Sequence, residues 1–385
     1  MTAAGRPDPA QEPEGQPADG SGDAGGAGDG RRTGLPRHDW RDGQLWLRTA
    51  LALALGAAGG ALFWLTGMPL AWMLGAMCAS MAAAVAGIAV PVHSMARGPM
   101  AALLGVMLGS AFTPELLGRL DEWLGGFVLV ALFVPLCMAA MTFYFRVLRR
   151  YDPVTAFFSA TPGGITEMIL VGSAYGGDVR RISLVHATRI MVVVFVIPFY
   201  FRFGAQLDVP SLLPTPPVGQ VAAGDWALLA GCILIGWPLA AAVRLPAAVL
   251  TGPLVLSAGI HLAGLTQATP PAVLVAAAQV VLGAAIGSRF HGYRWRELAH
   301  TLKEAVGATL LLLALTVAAA FAAAPLIGLP AAVVALSIAP GGLAEMALVA
   351  LALDTDTAYV TTMHIWRIVL VIVAAPLFWR LSHRR

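Results

Sequence analysis

Two short stretches carry the residue types that could do chemistry in an otherwise apolar chain. Thr161–Met168 reads TPGGITEM, and Ala339–Met346 reads APGGLAEM. Proline removes a backbone donor and clashes with the preceding turn, and paired glycines favour a break, so a helix entering either stretch should stop and restart. The break exposes backbone at Pro162, Gly163 and Gly164, and again at Pro340, Gly341 and Gly342. It also leaves a helix N-terminus free to attract an anionic group. A kink or hairpin tip that only packs fits the same triplet. Glu167 and Glu345 follow each break by three residues. A carboxylate there either caps the exposed N–H groups or serves as a proton or cation site, and the sequence leaves both readings open.

Further along, Ser183, His186 and Arg189 recur as Thr361, His364 and Arg367. A spacing of three puts each trio on one helix face. Both arginines lie seven or more residues inside apolar segments, about 10 Å from an end at about 1.5 Å per residue. A charge at that depth costs at least ~2.5 kcal/mol on insertion scales. The arginines should therefore face the bundle interior and pair, with Glu167 or Glu345 as the natural partner. The result is either a buried clamp or a path for substrate or protons. The histidines either titrate near neutrality or act as hydrogen-bonded interface residues.

The elements that position these groups are membrane helices. Of the 385 residues, 58% are hydrophobic and 12% charged, half the charged fraction of an ordinary soluble domain at about 25%. The apolar content falls into runs near the length that spans a bilayer. These lie at roughly 47–65, 69–88, 98–113, 124–145, 153–176 and 182–202, and then at 226–243, 246–264, 270–288, 304–324, 330–353 and 358–380. The net charge of +3 marks cytoplasmic loops rather than nucleic-acid binding.

The second set repeats the first. Ser159–Arg202 aligns with Ser337–Arg380 at a constant offset of 178, with sixteen of the 44 positions identical. Upstream, an offset of 177 pairs Pro69 with Pro246, Gly75 with Gly252, Ser80 with Ser257 and Gly87 with Gly264. Apolar helices share Leu and Ala by chance, but not Glu, His, Arg and Pro-Gly-Gly in register, so the chain is internally duplicated. Basic clusters precede segment 1, follow segments 4 and 9, and close the chain. Placing all of them on the cytoplasmic side requires segments 5 and 11 to enter and leave on one side, which inverts the second copy. Parallel copies with every segment crossing remain the alternative.

These readings give an all-α integral membrane protein with two inverted repeats. Each repeat has about five spans plus one broken or re-entrant Pro-Gly-Gly segment. The expected organisation is a disordered cytoplasmic tail over 1–36, too polar to bury a core, and a basic, aromatic juxtamembrane segment over 37–46. Repeat 1 follows at 47–202, a Pro-rich linker at 203–225, repeat 2 at 226–380 and a basic tail at 381–385. The runs GAAGGAL at 56–62 and LGAAIG at 282–287 suit tight helix packing. Asp178 and Asp356 suit helix N-caps. Cys78, Cys137 and Cys232 lie singly in apolar runs, as small buried side chains do. No P-loop, Rossmann fingerprint, HExxH or GxSxG is present, and no catalytic, metal or cofactor site is expected.

The PGGxxEM stretch with its downstream HxxR and proline, and the motif around Leu245–Gly252 with a looser copy at Met68–Gly75, resembles the bacterial AbrB-type membrane proteins with the AbrB duplication. The resemblance covers about 47–380. Such proteins are labelled regulators of gene expression or ammonia monooxygenases. The acidic tail here resembles no DNA-binding module, and the eight histidines are scattered. The break followed by a short helix, an acidic loop and another helix is similar to the bile-acid symporter and cation–proton antiporter superfamily, which implies inverted repeats, broken helices and a midplane site. The expectation is a secondary transporter in the bacterial inner membrane, with both termini cytoplasmic. It would move a small anionic or weakly ionised solute coupled to H+ or Na+, with the lipid bilayer and the solute as partners and no nucleic acid; a homo-oligomer is left open. The alternative is a membrane-embedded regulator or sensor acting indirectly on gene expression.

Overall fold

The computed structural model describes residues 43–204 and 217–382. Its regular structure among those residues is entirely helical. The expected tail over 1–36, positions 37–42, positions 205–216 of the linker and positions 383–385 lie outside the described residues.

The helices run α1 (Gly43–Leu65), α2 (Ala71–Val85), α3 (Ser94–Gly109), α4 (Leu124–Phe143), α5 (Pro153–Ala160), α6 (Ile165–Ala174) and α7 (Val179–Phe199). They continue as α8 (Ala223–Ala242), α9 (Ala248–Leu262), α10 (Ala272–Gly287), α11 (Trp295–Ile327), α12 (Ala331–Ile338), α13 (Leu343–Ala352) and α14 (Thr357–Ser382). Leu, Ala and Val favour this throughout, and polar residues punctuate it. Asp152 accepts from the Thr155 N–H, with Pro153 at the first helical position of α5. Asp178 accepts from the N–H groups of Arg180 and Arg181, and Asp356 from that of Tyr359.

Among the described residues, seven helices are long and apolar enough to cross a bilayer; the remaining apolar runs form shorter helices. Helices α2 and α9 have 15 residues each and α3 has 16, or about 22–24 Å at about 1.5 Å per residue. Stops at both ends shorten α2 and α9. Leu70 (φ 45) and Ala247 (φ 49) open them in the left-handed region. Gly87 (φ 86) and Gly264 (φ 68) close them, with the paired bonds Ile88 to Ala83 and Gly87 to Ala84, and Leu265 to Ile260 and Gly264 to His261, of a Schellman motif.

Glycine decides the closest packing. Gly59 of α1 meets the backbone of Gly75 in α2, and Gly236 of α8 meets that of Gly252 in α9, so a Cβ at any of the four would collide. Packing then crosses between the two sets of helices. Gly105 and Gly109 of α3 lie on the carbonyls of Leu250 and Leu254 in α9, while Gly283 and Gly287 of α10 lie on those of Met73 and Met77 in α2.

Helices α4 and α11 run antiparallel. A Cβ at Gly125, near the start of α4, would lie 3.0 Å from Ile327 at the end of α11. At the opposite ends, the Tyr144 hydroxyl donates to the Glu304 carbonyl at 3.1 Å. The main core draws buried side chains from α2 to α7 and from α9 to α14.

Candidate functional site

Both Pro-Gly-Gly triplets break the helix, as their chemistry requires. Thr161–Gly164 separates α5 from α6, and Ala339–Gly342 separates α12 from α13. Helices α5 and α6 fold back on each other: the Asp178 N–H, just after α6, donates to Thr155 Oγ1 in the first turn of α5 at 2.8 Å, and the rings of Phe158 and Tyr175 stack at 6.0 Å. The break is the tip of this hairpin.

A helix end inside a membrane leaves carbonyls that no water satisfies, and α7 and α14 supply the donors. His186 Nε2 lies 2.9 Å from the Phe158 carbonyl, and His364 Nε2 lies 2.9 Å from that of Leu336. Next to a carbonyl, Nε2 carries the hydrogen, so Nδ1 is the bare acceptor, and neither Nδ1 has a partner. Arg189 donates to the Thr161 carbonyl at 3.3 Å and to that of Gly163 at 3.4 Å. Arg367 donates to the carbonyls of Ala339 and, at 2.6 Å, Gly341. Each guanidinium thus sits at the negative end of a short helix, with 6% and 5% of Arg189 and Arg367 exposed.

The expected Arg–Glu pairs do not form. Among the described residues, no ion pair joins Arg189 or Arg367 to Glu167 or Glu345. The glutamates instead turn to their own helices. Each is the third residue of α6 or α13, and its carboxylate folds over the N-cap glycine, Oε2 of Glu167 at Gly164 and Oε2 of Glu345 at Gly342. Glu345 bonds its own backbone N–H. A carboxylate three residues into a helix can reach back this way. The N-termini of α6 and α13 are therefore covered by their own carboxylates, the capping arrangement that is one of the two readings the sequence leaves open.

Each arginine borders a small cavity. Arg189 lines one with Ser159, Thr309, Met141, Phe145 and Val185. Arg367 lines another with Pro162, Pro340, Cys137, Phe133 and Ile338. Each has about the room of one water molecule, and Leu312 of α11 borders both. The two breaks therefore meet, because Pro162 and Pro340 face the same space. The Nε–H of Arg189, the Nε–H of Arg367 and the Ser159 hydroxyl are buried without a partner. Thr361, in the second trio, is also buried with an unpartnered hydroxyl, whereas Ser183 is half-buried.

Sequence spacing brought out the prolines, glycines, glutamates, histidines and arginines, but not Thr309 or Cys137, single residues in apolar runs. Ser159 carried a signal only as the first residue of the aligned block. No group of three His, Cys, Asp or Glu side chains converges on a metal position among the described residues.

The model of one family, described as Transition state regulatory protein AbrB, matches residues 72–383. The chain belongs to the AbrB family. It is 28% identical to "Uncharacterized protein YhjN" of Bacillus subtilis (strain 168) over 364 residues, covering 86% of this chain and 92% of that one. It is 24% identical to "Putative regulator AbrB" of Escherichia coli (strain K12) over 326 residues, covering 80% and 89%. The region matched to the AbrB family takes in both breaks, both glutamates and both His–Arg pairs, and starts after α1.

Proposed function

We propose that this AbrB-family protein is a secondary transporter of a small anionic solute, built as two inverted repeats in the bacterial inner membrane with both termini cytoplasmic. The observation that carries the reading is the pair of buried arginines. Each is held against the break of a segment, has no carboxylate within ion-pair distance among the described residues, borders an internal cavity and has a buried Nε–H without a partner. A buried cation without a counter-ion is costly, and a transported anion would supply one.

The geometry supports the finer architecture. Arg189 lies ten residues past the start of α7, so about 15 Å along it, half of a hydrocarbon layer of about 30 Å. Helices α4 and α11 hold matching places in the duplication yet run in opposite directions, as two inverted copies require. The folded-back α5–α6 pair suits a re-entrant segment. Basic residues also gather at one end: Arg149 Nε donates to Tyr144 Oη beside the start of α11, and Arg180 donates to Gly292.

Coupling follows from the capping carboxylates. A proton on the Glu345 carboxylate weakens its hold on the N–H groups at the start of its short helix. Protons are therefore the favoured coupling ion, and no covalent chemistry is assigned. The test is uptake of labelled formate, acetate and nitrate into proteoliposomes under a pH gradient. Uptake lost in Arg189→Ala and Arg367→Ala proteins that remain folded supports the reading.

A membrane-embedded regulator is the second reading, favoured by the family description and the name of the Escherichia coli relative. It requires ligand binding without flux.

A further inference from the structure

We infer that the two arginine sites have diverged: the cavity at Arg189 takes the solute, a small oxyanion, while Arg367 is the fixed anchor of its break. The inference rests on the anion reading above and deepens it.

Matching positions differ in one consistent direction. Arg367 holds its carbonyls tightly, at 2.6 Å for Gly341, whereas Arg189 reaches Thr161 and Gly163 at 3.3 and 3.4 Å, near the limit of a useful bond. Ser337 spends its hydroxyl on the Val334 carbonyl at 2.7 Å. The aligned Ser159 is 2% exposed and its hydroxyl has no partner. Thr161 stands where the second copy has Ala339. The Arg189 cavity has two hydroxyl residues on its wall, Ser159 and Thr309, where the Arg367 cavity has none. A loosely held guanidinium with a spare Nε–H and a residue with a spare hydroxyl border one small space. An oxyanion, with several acceptor oxygens, answers both. The remaining wall of Met141, Phe145, Val185 and Leu312 leaves room for about one water molecule, so an oxyanion of three heavy atoms enters only as the flexible Met141 side chain gives way.

The experiment is thermal unfolding of the purified full chain titrated with sodium formate against sodium chloride at equal ionic strength. The expected result is saturable protection by formate in the unchanged protein. Ser159→Ala should raise the half-saturating concentration roughly tenfold, as the loss of one buried donor to an anion implies, and Ser337→Ala should leave it unchanged. If Ser159→Ala does not fold, Ser159→Cys, which keeps the volume but offers only a weak donor, supplies the same comparison. Equal effects at Ser159 and Ser337, or no protection of the unchanged protein, would overturn the inference. Protection that depends on Ser159 in a protein without flux would keep this site and remove transport. Flux that treats both serines alike would keep transport and remove the asymmetry.

Discussion

Arg367 donates to the Gly341 carbonyl at 2.6 Å, tying the middle of α14 to the break between α12 and α13. Its counterpart Arg189 makes the corresponding bond to Gly163 at 3.4 Å. One sequence pattern has therefore produced two versions of the same junction, one tight and one slack.

The difference should appear in stability. Removing Arg367 takes a donor from the Ala339 and Gly341 carbonyls, whereas without Arg189 the Thr161 carbonyl keeps the Gly163 N–H at 2.9 Å; each buried group left unsatisfied costs about 1–3 kcal/mol. Arg367→Ala is expected to lower the unfolding temperature more than Arg189→Ala does, in melts of the two purified variants. Equal shifts would mean that the distances carry no energetic difference.

The glutamates cap their short helices, and the proposed transport assigns the coupling proton to these caps. An amide oxygen still accepts from N–H groups, so Glu167→Gln and Glu345→Gln should fold. In the unchanged protein flux should rise as pH falls, because the protonated carboxyl is the one that gives up the helix terminus. The Gln variants should show a flat pH profile, and a preserved slope would place the coupling proton elsewhere.

Backbone contact at glycine is a separate stability element. Gly75→Val in α2 drives a side chain into the Gly59 backbone and is expected to cost about 1–3 kcal/mol or more, as overpacking does. Gly231→Ala, in α8, meets nothing within 4 Å and should be neutral or slightly stabilising. Thermal melts of the two variants side by side make the comparison.

Just before α5, Tyr151 donates to Glu304 Oε2 at 2.8 Å, and His300 Nδ1 lies 3.5 Å from the same oxygen. Burial pushes the Tyr151 hydroxyl well above the usual phenol range, and its bond to Glu304 adds to the shift, so it stays a donor at any ordinary pH. Tyr151→Phe is expected to cost about 1.5–3 kcal/mol, the value of a hydrogen bond to a charged group.

The helices and the breaks were legible in the sequence because proline and glycine leave marks that apolar composition cannot imitate. Residues 153–176 read as one interrupted segment, and the interruption falls at Thr161–Gly164. The shortness of α2 and α9 was less legible, since Leu70 and Ala247 give no sign of the left-handed backbone that starts them. The partners of Arg189 and Arg367 were misread for a physical reason. A carboxylate nearby in sequence looks like the obvious counter-ion, but the broken helix creates orphan carbonyls whose need for donors is met first, while the glutamate is drawn to the opposite helix end. Ser159 and Thr309 could not be singled out, because only the fold shows which buried hydroxyls lack a partner.

The most direct measurement is uptake of radiolabelled formate into proteoliposomes with an inward proton gradient, comparing the unchanged protein with a folded Arg189→Ala variant. The account expects saturable uptake that collapses when the gradient is dissipated and is absent in the variant. Uptake equal in both, or equal to that of protein-free vesicles, would contradict it.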